Sequence, residues 1–325
     1  MDINTRQLRY FVAVAEELNF TRAAGRLHLA QQSLSAQIRH LEQAIGAALF
    51  RRTTRSVELT AAGAAFLVDA RAMLATLDRS VREARQIEAN ESGVLTIGTG
   101  EGGALTLTES ILTEFRASHP GVRIDLKTYS YADPSAGLAD GSVDVAYLRL
   151  PIGGGDWLRS ERLLIEPRVV MLPSSHRLAG RSVLGAAELV DEPIIGHLCT
   201  DQTWIDFWSL AEHRRERPAR FVGAAASVLE EAQCVGAGLG CVVTVASARW
   251  LPAPGVTLVP LADVRGSELA VGWRADRETD LVRSFAAAAR AVRDANPKTV
   301  HALVHPDMHD RTMPSTSGLI HSPSE

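Results

Sequence analysis

Residues 20–46 read FTRAAGRLHLAQQSLSAQIRHLEQAIG. Within that stretch Leu34, Ile38, Leu41 and Ile45 recur at the spacing of one buried helix face, which predicts a helix over about 31–45. The opposite face then carries Gln32, Ala36, Arg39 and Gln43, with Ser35 at its flank. Gly46 supplies a C-cap. Upstream, Ala23, Ala24 and Leu27 give a shorter helix the small residues needed for close packing, Thr21 stands where its N-cap is wanted, and a turn near His28–Ala30 joins the two.

Working outward, Leu8, Phe11, Val12, Ala15 and Leu18 predict an amphipathic helix over 5–18 in front of this pair. Behind it, LFRRTTRSVELT sets Arg51, Arg52 and Arg55 around a short turn and then alternates Ser56, Val57, Glu58 and Leu59 like a strand. A helix offering Gln, Ser and Arg outward has the chemistry to read DNA, because Gln bonds adenine, Arg bonds guanine, and hydroxyls bond phosphates. The basic hairpin beside it would grip backbone phosphates. The bland alternative is a core helix with a solvated face, and helical spacing by itself does not separate the two.

Charge points the same way. Residues 1–60 hold eight arginines and five acids, a balance of +3 that leaves −7 elsewhere in a chain of net charge −4. A basic end on an acidic chain suits one region meeting an anionic polymer. With 325 residues, 46% hydrophobic and 22% charged, the chain has the composition of two or three globular units. It has no apolar run of bilayer length and no signal-like start, and its three cysteines form no disulfide framework, so a cytoplasmic location is expected.

These elements resemble the DNA-binding end of LysR-type transcriptional regulators. The likeness runs over residues 8–67, through LRYFVAVAEELNFTRAAGRLHLAQQSLSAQIRHLE, AIGAALFRR and VELTAAG. It implies an α/β multidomain protein with an N-terminal winged helix-turn-helix (1–58), a long linker and dimerisation helix (59–89), and a two-lobed α/β effector-binding domain of periplasmic-binding-protein type (90–295). The lobes would hold about 94–162 with 268–295, and about 163–267. The expected DNA contacts are Thr21, Gln31, Gln32, Ser33, Ser35, Arg39, Arg51, Arg52 and Arg55, on double-stranded promoter DNA. Two departures from the family pattern, Ala30 at the recognition-helix cap and Ala36 where an arginine is common, mean that a relative's operator preference does not transfer.

From Leu59 to about Glu88, Phe66, Ala70, Met73, Leu77, Ala84 and Ile87 make a heptad seam interrupted only by Ser80. In the resembling family this helix pairs with its copy, which predicts a homodimer or homotetramer. Asn90–Gly93 breaks the helix and marks a domain boundary. Beyond it, apolar strands at 94–99, 122–129, 143–148, 168–173, 193–197, 240–245 and 268–274 alternate with helical runs, an order that suggests parallel sheets.

Ligands of such folds sit at strand ends and helix N-termini between lobes. The expected small-molecule effector site is therefore Thr99, Gly102, Gly103 and Thr106 in TGEGGALT, with Ser130, Tyr131, His197, Thr200, Ser227 and Thr244. Free N–H groups and hydroxyls would suit a carboxylate, although Glu101 would repel one if it faced inward.

Several features are read as inert. Cys199, Cys234 and Cys241 have no metal or redox spacing. His301, His305 and His309 fall at helical spacing but inside a Pro-, Ser- and Thr-rich stretch, 296–325, expected to be a disordered tail. No metal and no cofactor are expected. An enzyme fused to a winged helix through pyridoxal phosphate would need a Schiff-base lysine, and only Lys127 and Lys298 are available. A solute-binding module without DNA function is the other competitor, and the arginine hairpin speaks against it.

Overall fold

The computed structural model describes residues 3–52, 56–89, 93–100, 102–215, 217–251, 253–308 and 313–316, with backbone alone at 79 and 82–89. Arg55, Glu101, His309 and Asn90, all singled out above, lie outside the described residues, as do the side chains of Ala84 and Ile87. The chain divides into a unit built on residues 1–91 and a second built on 92–138 and 143–325.

The first unit opens with α1 (Thr5–Glu17), started by a reciprocal capping box between Asn4 and Gln7. In α2 (Phe20–Arg26) the cap is Asn19, not Thr21. Asn19 has extended backbone and its side-chain oxygen accepts from the N–H groups of Thr21 and Arg22 at 2.9 and 3.0 Å, whereas Thr21 already lies inside the helix. α3 (Gln31–Ile45) starts at Ala30 with no side-chain cap and ends at Gly46 in the left-handed region, φ 79°. Ala30→Ser should therefore raise stability by about 1 kcal/mol. An unchanged melting temperature of the intact chain would mean that the first-turn donors of α3 already have partners.

β1 (Phe50–Arg52) and β2 (Val57–Leu59) pair antiparallel, with Arg51 opposite Glu58. They lead into α4 (Ala61–Ala89). Phe11, Leu34, Ile38, Leu41, Leu49 and Ala70 are fully buried, and Phe11 contacts the rings of Phe50 and Phe66 at 5.4 and 5.3 Å. The seam of α4 is thus divided. Phe66, Ala70 and Leu74 pack on the core of their own unit, while Met73, Leu77 and Val81 stay 39–46% exposed.

The second unit runs β3 (Val94–Thr99), α5 (Leu107–Ser118), β4 (Arg123–Thr128), β5 (Val145–Leu150), β6 (Leu158–Glu166), β7 (Arg168–Pro173), β8 (Ile194–His197), α6 (Gln202–Trp208), β9 (Phe221–Ala225), α7 (Val228–Gly236), β10 (Val242–Val245), β11 (Val256–Pro260), β12 (Ser267–Arg274), α8 (Asp280–Ala295) and α9 (Pro297–Val304). One lobe has strand order β4-β3-β5-β12-β6 and the other β10-β7-β11, extended by the parallel pair β8-β9 through a bridge between Ile194 and Cys241.

Neither sheet is all parallel, contrary to the expectation from strand and helix alternation. β3 is parallel to β4 and β5, but β12 runs antiparallel to both β5 and β6, and β7 antiparallel to β10 and β11. The reason is topological. The chain leaves the first lobe at Glu166–Arg168 and re-enters at 260–267, and a strand returning from another lobe can pair without a crossover helix. β6 also carries the first lobe to Glu166.

The expected disordered tail is ordered where it is described. Val300, Leu303 and Val304 give α9 an apolar face that packs on the first lobe's core, with Leu303 fully buried and Pro297 at the first turn. Thr299 Oγ1 donates to the Ser315 carbonyl at 2.6 Å, and Ser110 Oγ donates to Thr316 Oγ1 at 2.8 Å. Pro, Ser and Thr content hid a three-residue apolar stripe. No helix among the described residues is long and apolar enough to cross a membrane.

Candidate nucleic-acid interface and ligand cleft

Burial of Leu34, Ile38 and Leu41 fixes the rotation of α3 and leaves Gln31, Gln32, Ser33 and Arg39 exposed. Thr21 is exposed on the first turn of α2. Arg51 is exposed and bonds Glu58 across the hairpin at 2.6 Å, a pairing that raises the arginine's pKa and lowers the glutamate's.

Arg52 is held differently from the free phosphate grip that the hairpin suggested. Its Nη1 donates to Ser35 Oγ at 3.1 Å, its Nη2 pairs with Glu42 Oε2 at 3.0 Å, and its guanidinium lies over the Phe20 ring at 4.4 Å. Glu42 Oε1 in turn accepts from the Leu49 and Phe50 N–H groups at 2.9 and 3.1 Å. One carboxylate thus joins α3 to β1, and Arg52 with Ser35 completes the joint. Glu42 carried no assignment in the sequence. Its signal was faint: it is an acid on the flank of a helix followed by two arginines.

In the second unit, a cleft of about 270 Å³ opens between the two lobes. Of the ten residues expected there, Gly102, Gly103, Ser130, Tyr131, His197, Ser227 and Thr244 line it. Thr99, Thr106 and Thr200 do not. Thr99 Oγ1 donates to the adjacent Gly100 carbonyl at 2.7 Å. Thr106 already has helical backbone, so its hydroxyl makes no cap and is buried without a partner among the described residues. Thr200 is exposed beside Asp201, which caps α6 and accepts from the Gly153 N–H at 2.7 Å. Gly102 and Gly103 adopt φ of 88° and 51°, and a Cβ on Gly103 would lie 3.0 Å from Thr108 Oγ1, so glycine is required for this loop's turn.

Behind the cleft wall lies a network that the sequence did not reveal. Glu231 is fully buried on α7 and accepts from Tyr131 Oη at 3.1 Å and from His197 Nε2 at 2.7 Å. Trp204 Nε1 donates to His197 Nδ1 at 3.0 Å. Because Nδ1 accepts, the imidazole is neutral with its proton on Nε2. Arg149, on the wall, pairs with buried Glu166 at 2.5 Å, and the Ser247 N–H donates to the same carboxylate. Tyr147 and Arg149 are two residues apart on β5, so period-two spacing puts both on one face, a signal present in the sequence YLR. Burial pushes the Tyr147 hydroxyl's pKa well above its ordinary value.

Two of the three thiols, Cys199 and Cys241, are held away from the thiolate form by burial. Burial pushes Cys241 up to about 12 and raises Cys199 as well. The His301 and His305 rings lie 4.6 Å apart and tilted at the C-terminal end of α9, and no group of three metal-ligating side chains occurs among the described residues.

Comparison with known proteins places both units. Residues 5–64 match the model of the bacterial regulatory helix-turn-helix protein, lysR family, and residues 88–294 match the LysR substrate binding domain. The HTH-type transcriptional regulator YnfL of Escherichia coli (strain K12) is 36% identical over 283 residues, covering 84% of this chain and 93% of the relative. The HTH-type transcriptional regulator AlsR of Bacillus subtilis (strain 168) is 33% identical over 285 residues, covering 86% and 93%. The crystal structure of CbnR, a LysR family transcriptional regulator, superposes with a TM-score of 0.55 at 23% identity, covering 89% of this chain and 99% of that one.

Proposed function

The chain belongs to the LysR family of DNA-binding transcriptional regulators, which carry an effector-binding domain and are not enzymes, and on that premise we propose how its own residues divide the work. Residues 1–58 act as the winged helix-turn-helix, 59–89 as the linker helix, and 90–295 as the effector domain. Gln31, Gln32, Ser33 and Arg39 read base edges or adjacent phosphates, and Thr21 and Arg51 grip the backbone. Arg55 belongs with the grips by its place in the hairpin sequence. The observation that carries this reading is the exposed polar end of α3 opposite its buried Leu34, Ile38 and Leu41 face. Arg52 and Ser35 position the wing against α3 instead of seeking phosphate.

Two copies bind together. The exposed Met73, Leu77 and Val81 stripe of α4 supports a coiled seam with a second subunit, and pairing doubles the phosphate contacts across two half-sites. The effector is a small molecule held in the inter-lobe cleft by the seven lining residues named above. Its binding alters promoter occupancy by favouring one arrangement of paired subunits over another. The work is done in the cytoplasm, where the promoter is.

The test is fluorescence anisotropy on the DNA upstream of the chain's own coding region across a salt series. Affinity should fall steeply with salt, and a flat response would defeat the proposal. Gln32→Ala should cost about 1–3 kcal/mol at the specific operator and little on unrelated DNA. Arg52→Ala should weaken binding to all sequences and also lower the melting temperature, because it leaves Glu42 unpaired. If the two variants behave alike, the division between reading and positioning is wrong.

A further inference from the structure

The cleft is unusually aromatic for this chain. It takes three of the four tyrosines, Tyr129, Tyr131 and Tyr147, and three of the five tryptophans, Trp204, Trp208 and Trp250. Core packing explains rings, but it does not explain polar edges left without partners. Tyr147 Oη, Trp208 Nε1 and Trp250 Nε1 are buried and make no hydrogen bond among the described residues. Each is a desolvated group whose unmet bond is a standing cost, and all three belong to residues on this one wall. Indole N–H groups only donate, and a tyrosine hydroxyl can donate as well as accept, so an acceptor is the one group that could serve all three. Arg249 stacks on the Trp250 ring at 4.2 Å and sharpens the polarity of that indole's N–H.

The charge on the wall decides what kind of acceptor. Arg149 is already neutralised by Glu166 at 2.5 Å, and His197 is neutral because its Nδ1 accepts from Trp204. Asp133, also on the wall, accepts from the N–H groups of Ser135 and Gly137, and the buried carboxylate of Glu231 lies directly behind His197 and Tyr131. An incoming carboxylate would enter a low-dielectric site whose lining cation, Arg149, is spent and whose lining also carries the Asp133 carboxylate. At about 270 Å³ the space lies just below the roughly 300–1,000 Å³ of drug-sized pockets, so the occupant is small.

We infer that the effector is an uncharged aromatic molecule bearing a hydrogen-bond acceptor such as an amide or ketone oxygen, and that the cleft discriminates against the matching carboxylate. The inference rests on the reading of this cleft as the effector site. It replaces the carboxylate suggested by the glycine loop: that loop supplies N–H groups, but the wall facing it supplies no uncommitted positive charge.

The test uses the full chain, thermal shift and tryptophan fluorescence, and matched probes: benzamide, cinnamamide and 1-naphthamide, each against its acid, with 3-cyclohexylpropanamide as the saturated control. At least one aromatic amide should bind saturably, at least about tenfold tighter than its acid and tighter than the saturated amide. Tyr147→Phe should weaken that amide about tenfold, while Tyr10→Phe, in the other unit, leaves it unchanged. The inference is overturned if any acid binds as well as its amide, if the saturated amide matches the aromatic ones, if Tyr147→Phe has no effect, or if no amide binds at about 10 mM. Salt-dependent promoter binding is measured on the same preparation. Its retention alongside failure of every amide would defeat the ligand class alone, and its loss would defeat the regulator reading.

Discussion

Gly63→Ala is expected to destabilise the DNA-binding unit by about 3 kcal/mol or more and to abolish promoter binding at temperatures where the parent chain binds. A Cβ at this position would lie 2.0 Å from the Leu49 carbonyl oxygen and 2.9 Å from its carbon. Both are backbone atoms, so no side chain can rotate aside. The Leu49 carbonyl is also engaged, accepting from the Thr60 N–H at 2.9 Å. Thr60 Oγ1 accepts from the Gly63 N–H at 2.9 Å and donates to the Ala48 carbonyl at 2.7 Å. The first turn of α4 is therefore fastened directly to the segment that leads from α3 into the wing. Opening that joint by an ångström or more displaces the hairpin and frees Phe66 and Ala70 from the core. Gly25→Ala is the internal control, because nothing lies within 4 Å of the added carbon and alanine is the better helix former. Urea unfolding of the two variants should move in opposite directions. Equal midpoints would show that the close approach at Gly63 does not constrain the fold.

Arg168→Met should lower the stability of the effector-domain unit by about 3 kcal/mol or more, even though methionine fills similar space and removes a buried charge. Arg168 is the first residue of β7 after the chain crosses between lobes, and its side chain is fully buried. Its Nε and Nη1 donate to the carbonyls of Arg265 and Phe207, both at 2.7 Å, and Nη2 pairs with Glu212 at 3.1 Å. The guanidinium also stacks on the Phe207 ring at 4.1 Å. Burial lowers its pKa, yet an arginine begins so high that it remains charged at any working pH, and its contribution should not titrate. Glu212 is half exposed and can return to water, so the loss comes mainly from the two carbonyls. Arg168→Lys keeps the charge but not the planar fork, and should recover less than half of the loss. A lysine variant as stable as the parent chain would show that charge, not fork geometry, holds the crossing.

Much of the first unit was legible. The Leu34, Ile38, Leu41 and Ile45 spacing, Gly46 and the uncapped Ala30 gave the limits of α3, because caps and periodicity act within a few residues of chain. The same local reasoning misplaced the α2 cap. Thr21 and Asn19 are both competent caps, and which one serves depends on where α1 stops, at Leu18 in the left-handed region. Composition misled at α9, where Val300, Leu303 and Val304 are too few to outweigh the surrounding Pro, Ser and Thr until a partner surface exists.

Along one chain, then, period and capping chemistry determined the recognition helix, the wing, the linker helix and the strand-rich second half. The family match spans those same regions, residues 5–64 and 88–294. Tertiary structure alone decided which charges are spent. Arg52 on Glu42, Arg149 on Glu166 and Tyr131 on Glu231 are 10, 17 and 100 residues apart, and no periodicity links them. Whether an arginine grips phosphate, greets a ligand or braces the fold depends on the carboxylate it meets in space. Coulomb and hydrogen-bond energies fall off over ångströms, not over residue numbers, so that choice is made only when the chain has folded.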